Sequence, residues 1–311
     1  METVRGVAGK IQRLEVKGAR NVAIAALQAV EDMAKKTNAK NRGAFVQELS
    51  NARQTLFASR PTEPLMRNAL NWVLDSVDHS AKTKISELSG VVASCSCEFL
   101  RSLEESKEYI ASVGAKRIRD GMTVFTHCHS STVTYLLRKA KESGRTFEVI
   151  CTETRPVFQG RITAREMVDL GVKTTLIVDS AARSFMKEAD IVIVGADAIT
   201  SEGNVVNKIG SSTIALLAHE ARIPFYVVSE LLKFDPATLR GEYEAIEQRS
   251  RDEVWQEAPE ILAVKNPAFD VTRREFIQGI ICEEGVIPPH LASEVVRRRY
   301  PWINHTRNLI P

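Results

Sequence analysis

The sequence predicts an α/β protein, with a helical N-terminal domain over residues 1–118 and a doubly wound parallel sheet domain over residues 119–311. Three observations support this reading. The first half has helical periodicity and no strand alternation. Beyond Asp120-Gly121, short apolar runs alternate with helical patterns, which implies right-handed βαβ crossovers and a parallel sheet. The residues able to do chemistry fall just after those runs, where open parallel sheets bind ligands.

Taken in order, a small-residue apolar helix spans Val22 to Val30, after Lys17-Gly18-Ala19-Arg20. A second helix is expected over Gly43–Phe57. It ends before Arg60-Pro61-Thr62-Glu63-Pro64, where two prolines break the pattern. A third covers Leu65–Val77. A long fourth covers Ser80–Val113, with Glu98, Arg101, Glu104, Glu105 and Lys107 on its polar face. Strands are expected at Met122–Phe125, Phe147–Cys151, Thr174–Val178, Ile191–Val194 and Phe225–Val228. Helices are expected at Thr132–Ser143, Thr163–Leu170, Ala181–Glu188 and Ser211–Ala221.

Composition narrows the function. Hydrophobic residues at 44% and charged residues at 26% are those of an ordinary globular chain, and a net charge of +3 is too small to argue for nucleic acid. No apolar run is long enough to span a bilayer and Met1-Glu2-Thr3 opens no signal peptide, so no membrane partner and a cytoplasmic location are expected. Five cysteines, an odd number, fit reduced thiols better than a disulfide framework. Cys95-Ser96-Cys97 with His127 and His129 raises the question of zinc. The C-x-C spacing is not a knuckle and no second pair follows, so buried thiols are the simpler reading and no metal is expected. Neither G-x-G-x-x-G nor G-x-x-x-x-G-K-[ST] occurs, which leaves a dinucleotide or P-loop site without support; no cofactor is expected.

The strand-to-helix turn Thr126-His127-Cys128-His129-Ser130-Ser131-Thr132 is the centre of the pattern. Ser130 and Ser131 are N-cap residues, and a helix N-terminus favours anions and lowers the pKa of a nearby thiol. Cys128 is thus expected to be a thiolate near neutral pH. Asp197, just beyond the apolar run Ile191–Val194, is expected to be desolvated and to hold a proton. Such a base and acid suit proton shuttling, although Cys128 can also be read as a small buried hydrophobe and Asp197 as a turn former. Asn207-Lys208-Ile209-Gly210-Ser211-Ser212 before another helix, Lys233, Arg60, and the turn Arg155–Gly160 with Gln159 together suggest an anionic sugar.

The segments Thr126–Ser130, Thr152–Pro156 with Gln159-Gly160, Gly195-Ala196-Asp197, Asn207–Gly210 and Asn266–Thr272 resemble one family from about Lys17 to Trp302. It contains archaeal ribose-1,5-bisphosphate isomerases, methylthioribose-1-phosphate isomerases and the regulatory α, β and δ subunits of the eukaryotic initiation-factor exchange factor. Cys-His-Ser after Thr-His resembles the ribose-1,5-bisphosphate branch. By position, the resemblance implies Cys128 as proton acceptor and Asp197 as proton donor. Ser130, Ser131, Thr132, Gln159, Asn207, Lys208, Lys233 and Arg60 would be substrate contacts. It further implies a Rossmann-like C-terminal domain, a homodimer or higher homo-oligomer up to a hexamer, and a place in nucleoside and AMP degradation feeding ribulose bisphosphate carboxylase.

Two departures stand out. The family's Arg-Gly-Ala-Gly phosphate loop is here Lys17-Gly18-Ala19-Arg20, and its Pro-Pro after Asp-Val-Thr is Arg273-Arg274. Lys17 is expected to give a phosphate a point charge, with Arg20 either in solvent or supplying the missing fork. Three functions stay open: isomerisation of ribose 1,5-bisphosphate, isomerisation of another sugar 1-phosphate such as methylthioribose 1-phosphate, and a non-catalytic regulatory role. Retention of both Cys128 and Asp197 favours an enzyme.

Overall fold

A computed structural model describes residues 3–61, 63–242 and 246–304. Met1 and Glu2, part of the signal-peptide expectation, and Thr62 of the proline-rich break lie outside the described residues. The helical half holds one helix more than the periodicity assigns. The Thr3 hydroxyl accepts from Gly6 N–H at 3.1 Å and caps α1 (Val4–Gln12), which buries Val7, Ala8 and Ile11 as one stripe. It is followed by α2 (Ala19–Lys35), α3 (Arg42–Ser59), α4 (Pro64–His79) and α5 (Ile85–Ala115). Asn41 caps α3, and Pro64 opens α4 at its first position, where a missing N–H costs nothing. The last helix begins five residues later than expected. Residues 80–84 stay non-helical and Arg42 gathers the carbonyls of Val77, Asp78, Ser80 and Lys82 at the end of α4.

The second half alternates as β1 (Thr123–Thr126), α6 (Ser131–Glu142), β2 (Glu148–Thr152), α7 (Gly160–Asp169), β3 (Lys173–Ile177), α8 (Ala182–Phe185) and β4 (Ile191–Val194). The expected single helix over Ala181–Glu188 is instead the short α8 between two 3₁₀ turns. Next come β5 (Ala198–Ile199), β6 (Val205–Lys208), α9 (Ser211–Ala221), β7 (Phe225–Val228), β8 (Phe269–Thr272), β9 (Gly279–Cys282), β10 (Gly285–Ile287) and α10 (Ala292–Arg299). Seven strands form a sheet in the order β10-β9-β7-β4-β1-β2-β3, parallel except for the antiparallel edge pair β9–β10. β5, β6 and β8 form a separate antiparallel sheet that the sequence does not announce.

The chain runs outward from β1 through β2 to β3, then returns to build β4 on the other side of β1. The direction of winding therefore reverses between β1 and β4, the crevice where open α/β sheets hold ligands. Both strands are apolar and almost wholly buried, as central parallel strands must be. One face packs against α6 and the end of α5. The other face shares a continuous core with the helical half, from Leu27, Phe45 and Leu70 to Phe125, Val192 and Val227. The N-terminal helices are thus fastened to the crevice and do not form a free arm.

Candidate active site

Cys128 lies two residues beyond β1 and Asp197 three beyond β4, so neighbouring parallel strands deliver them to the same crevice. The charge of Asp197 acts on the Cys128 thiol, as does the ammonium of Lys208. Cys128 holds φ +68°, uncommon for a residue with a side chain and typical of functional positions. Two threonines keep it there. Its N–H donates to Thr154 Oγ1 at 2.9 Å, and its carbonyl accepts from Thr163 Oγ1 at 2.9 Å.

Because the Thr163 proton is committed, its oxygen accepts from His129 Nδ1 at 3.2 Å. His127 is equally committed. Its Nε2 sits 2.8 Å from the Ile209 carbonyl and must carry the proton, so Nδ1 accepts from Thr152 Oγ1 at 2.6 Å. Burial holds both imidazoles below the usual histidine range. These rings brace the turn. Cys95 is buried and Cys97 exposed on α5, so their side chains diverge, and no group of three metal-ligating side chains occurs among the described residues.

The thiol itself departs from expectation. Burial pushes Cys128 up to about 12, against the pull of Lys208 and of the His129 N–H. The sequence reading gave the helix N-terminus the decisive part. However, α6 begins only at Ser131, and loss of water outweighs what a helix end supplies. Burial also pushes the Asp197 carboxyl above its ordinary range, opposed by Lys233, Arg60 and Lys208. Asp197 N–H donates to the Val206 carbonyl at 2.9 Å, so the small antiparallel sheet fixes its backbone.

Around this pair stand Arg60 and Lys233, both buried. Lys233 Nζ donates to the Ala196 carbonyl at 2.8 Å and lies 3.4 Å from Glu230. Burial works against the Glu230 carboxylate, but Lys233 and Arg20 hold it below its usual range. Arg20 therefore fulfils neither expectation made for it. Its guanidinium donates to the Leu103 carbonyl at 2.9 Å, pairs with Glu104 and reaches Glu230 at 3.6 Å. It is engaged with α5 and the floor of the crevice.

Lys17 and Gly18 are exposed at the start of α2, whose first turn has no side-chain cap. Ala19 is buried. Ser130 caps α6, while Ser131 is exposed and Thr132 buried. Asn207 turns its amide to Ser211 Oγ at 2.9 Å. Gln159 Oε1 is buried without a partner among the described residues. The start of α9, expected to take an anion, already has one: Asp270 accepts from Gly210 N–H at 2.8 Å and from Ser212 N–H at 3.1 Å. Sequence reasoning did not reach Asp270, Glu230, Glu63, Thr154 or Thr163. Only Asp270, within the Asp-Val-Thr motif, and Thr154, within Thr152–Pro156, carried any signal.

Two glycines let the walls meet. A Cβ on Gly210, at φ +102°, would lie 2.9 Å from His127 Nε2. One on Gly195 would lie 2.7 Å from Ser130 Oγ and 2.8 Å from its Cβ. Gly195→Ala is expected to push the Ser130 cap out of place, lowering kcat/KM about tenfold or more, with the few-degree loss of melting temperature that ~1–3 kcal/mol of overpacking gives. Steady-state kinetics beside a thermal melt check this.

The chain is 40% identical over 309 residues to a ribose 1,5-bisphosphate isomerase of Thermococcus kodakarensis, covering 97% of this chain and 96% of that one. It is 35% identical over 320 residues to a methylthioribose-1-phosphate isomerase of Pelotomaculum thermopropionicum, covering 98% and 87%. The crystal structure of a translation initiation factor eIF-2B from Pyrococcus horikoshii superposes with a TM-score of 0.80 at 32% identity, covering 92% of this chain and 97% of that one. With residues 15–289 matching the family pattern, the chain belongs to the Initiation factor 2 subunit family.

Proposed function

We propose that the protein is an aldose–ketose isomerase that converts α-D-ribose 1,5-bisphosphate to D-ribulose 1,5-bisphosphate. One observation carries the reading: Cys128 and Asp197, both desolvated, meet at the reversal of the sheet with Lys208, Lys233 and Arg60 around them. The preference for the bisphosphate rests on the higher identity to the relative of that name and on the uncapped start of α2. That start and the Ser130–Thr132 turn are two separate seats for phosphates.

Asp197 gives its proton to the ring oxygen as the bond from that oxygen to C1 breaks, leaving C1 oxocarbenium-like. The charge at C1 acidifies the C2 proton, which Cys128 takes as a thiolate. The electron pair becomes the C1–C2 double bond of a phosphoenolate. Cys128 returns the proton to C1, and the C2 hydroxyl proton passes back to Asp197 as the ketone forms. Acid and base thus end as they began.

A thiol at about 12 is a strong base but is scarcely ionised near neutral pH, so the step depends on the charges that favour its thiolate. Lys208 is the cation that favours its ionised form. Exclusion of water protects the intermediate. No helix among the described residues is long and apolar enough to cross a membrane. A homodimer or higher homo-oligomer up to a hexamer, and a place in nucleoside breakdown ahead of ribulose bisphosphate carboxylase, complete the proposal.

The likeness to the initiation factor favours one alternative, a regulatory protein that binds without turnover. Incubation with ribose 1,5-bisphosphate, followed by ³¹P and ¹³C NMR, separates the two. Ribulose 1,5-bisphosphate is the expected product, and binding without conversion would support the regulator.

Arg20→Gly is expected to lower stability by about 3 kcal/mol, because it strips a partner from the buried Glu230. By loosening Lys233 it also lowers kcat, whereas a pure phosphate contact would change mainly KM. Thermal melts and steady-state kinetics of this single variant check both effects.

A further inference from the structure

The mechanism leaves one buried acid unused. Glu63 is fully buried, in the break between α3 and α4, and its Oε2 lies 3.0 Å from Arg60 Nη1. The approach is close but poorly angled: neither carboxylate oxygen, nor Nε or Nη1 of Arg60, has a hydrogen-bond partner among the described residues. A buried ion pair this incomplete is a poor stabilising device, since its desolvation is not repaid by hydrogen bonds. Its surroundings explain its presence better.

Arg60 feels the charges of Glu63, Asp197 and Glu247 together. Glu63 in turn feels Arg60, Asp197, Lys233 and Glu247. The carboxyls of Glu63 and Asp197 therefore share the same cations. Glu230 beside Lys233, Lys208 and Glu247 acting on Asp197, and the Arg67–Asp235 pair at 3.2 Å complete the charged surroundings.

We propose that Glu63 is a positioning residue: it anchors the Arg60 guanidinium beside Asp197 and keeps on Asp197 the proton that is delivered to the substrate. The proposal rests on the isomerase reading for its catalytic meaning, but the coupling itself does not. Arg60 alone would draw Asp197 toward its ionised form, leaving no proton to donate. Glu63 takes up part of that positive charge and adds a negative charge of its own, so Asp197 keeps its proton. Burial pushes Glu63 itself up to about 7 despite Arg60, so its own negative charge strengthens as pH rises past neutrality. The coupling must be reciprocal, each carboxyl raising the other by the same amount.

The test uses the full-length protein with ¹³C-labelled carboxyl groups, titrated by NMR without substrate. Glu63→Gln is expected to lower the pH at which Asp197 titrates by about one unit, and Asp197→Asn to lower that of Glu63 by about the same amount. Glu63→Asp keeps the charge and should leave Asp197 closer to wild type. In kinetics, Glu63→Gln should move the alkaline limb of kcat down by the same unit; a merely structural residue would lower activity equally at all pH values. If Asp197→Asn leaves the Glu63 titration unmoved, the proposal is overturned, even where Glu63→Gln does not fold. If the carboxyls prove coupled but ribose 1,5-bisphosphate is not turned over, the isomerase reading fails while the coupling stands.

Discussion

Replacing Cys128 with serine is expected to lower kcat by about 10³-fold or more, while the melting temperature stays within a few degrees. Serine nearly matches the cysteine in size, and the clamps from Thr154 and Thr163 grip the backbone, so the turn and its positive φ survive. The chemistry does not. Burial already makes the thiol hard to ionise, at about 12, and an alcohol several units weaker as an acid cannot supply the base in the same dry site. A variant keeping more than about a tenth of the wild-type rate would remove Cys128 from the mechanism.

The raised thiol has its own signature. At pH 7 iodoacetamide should alkylate the exposed Cys97 and leave Cys128 nearly untouched, with Cys128 reactivity still climbing above pH 9. Peptide mapping by mass spectrometry reads both sites. Modification of Cys128 with a midpoint near pH 7 would restore the low-pKa expectation drawn from its place before a helix.

Such an expectation had real but partial grounds. The strands β1, β4 and β7 were legible because each is an apolar run bounded by turn residues, and their helices because polar and apolar faces alternate at helical spacing. Cys128 and Asp197 could be picked out because ligand chemistry gathers beyond the strand ends of such sheets. The strands β5, β8, β9 and β10 were not legible. They are two to four residues long: β5 and β10 sit in short local hairpins with β6 and β9, and β8 finds β6 some sixty residues away, so none leaves a clear periodic trace.

The electrostatics of the site was less legible still. Whether Cys128 is wet or dry depends on walls from several elements, not on the turn that holds it. Arg20 finds its carbonyl 83 residues away on α5. Glu63 reads in the sequence as one residue of a proline-rich break, and nothing local reveals that it is fully buried beside Arg60, within reach of the charge of Asp197.

Asp197→Asn should be as damaging to turnover, by about 10²–10⁴-fold, yet harmless or favourable to the fold. Asparagine fills the same volume and its backbone keeps the bond to Val206, but it has no acidic proton to give the ring oxygen. The effect on stability follows from the direction of the carboxyl's shift. Burial raises Asp197 in the folded protein above its unfolded value, so between the two the folded state holds more protons. The stability this contributes is complete below the unfolded pKa and is lost as pH rises through the folded one. Removing the carboxyl should flatten that decline, leaving the variant at pH 8 as stable as the wild type or a few degrees more so, at ~2–4 °C per kcal/mol. Melts across pH 4–9 beside NMR turnover assays would read both quantities. An inactive variant that also melts far below the wild type would make Asp197 a structural counter-ion for Lys233 and Arg60, and the acid would have to be sought elsewhere in the crevice.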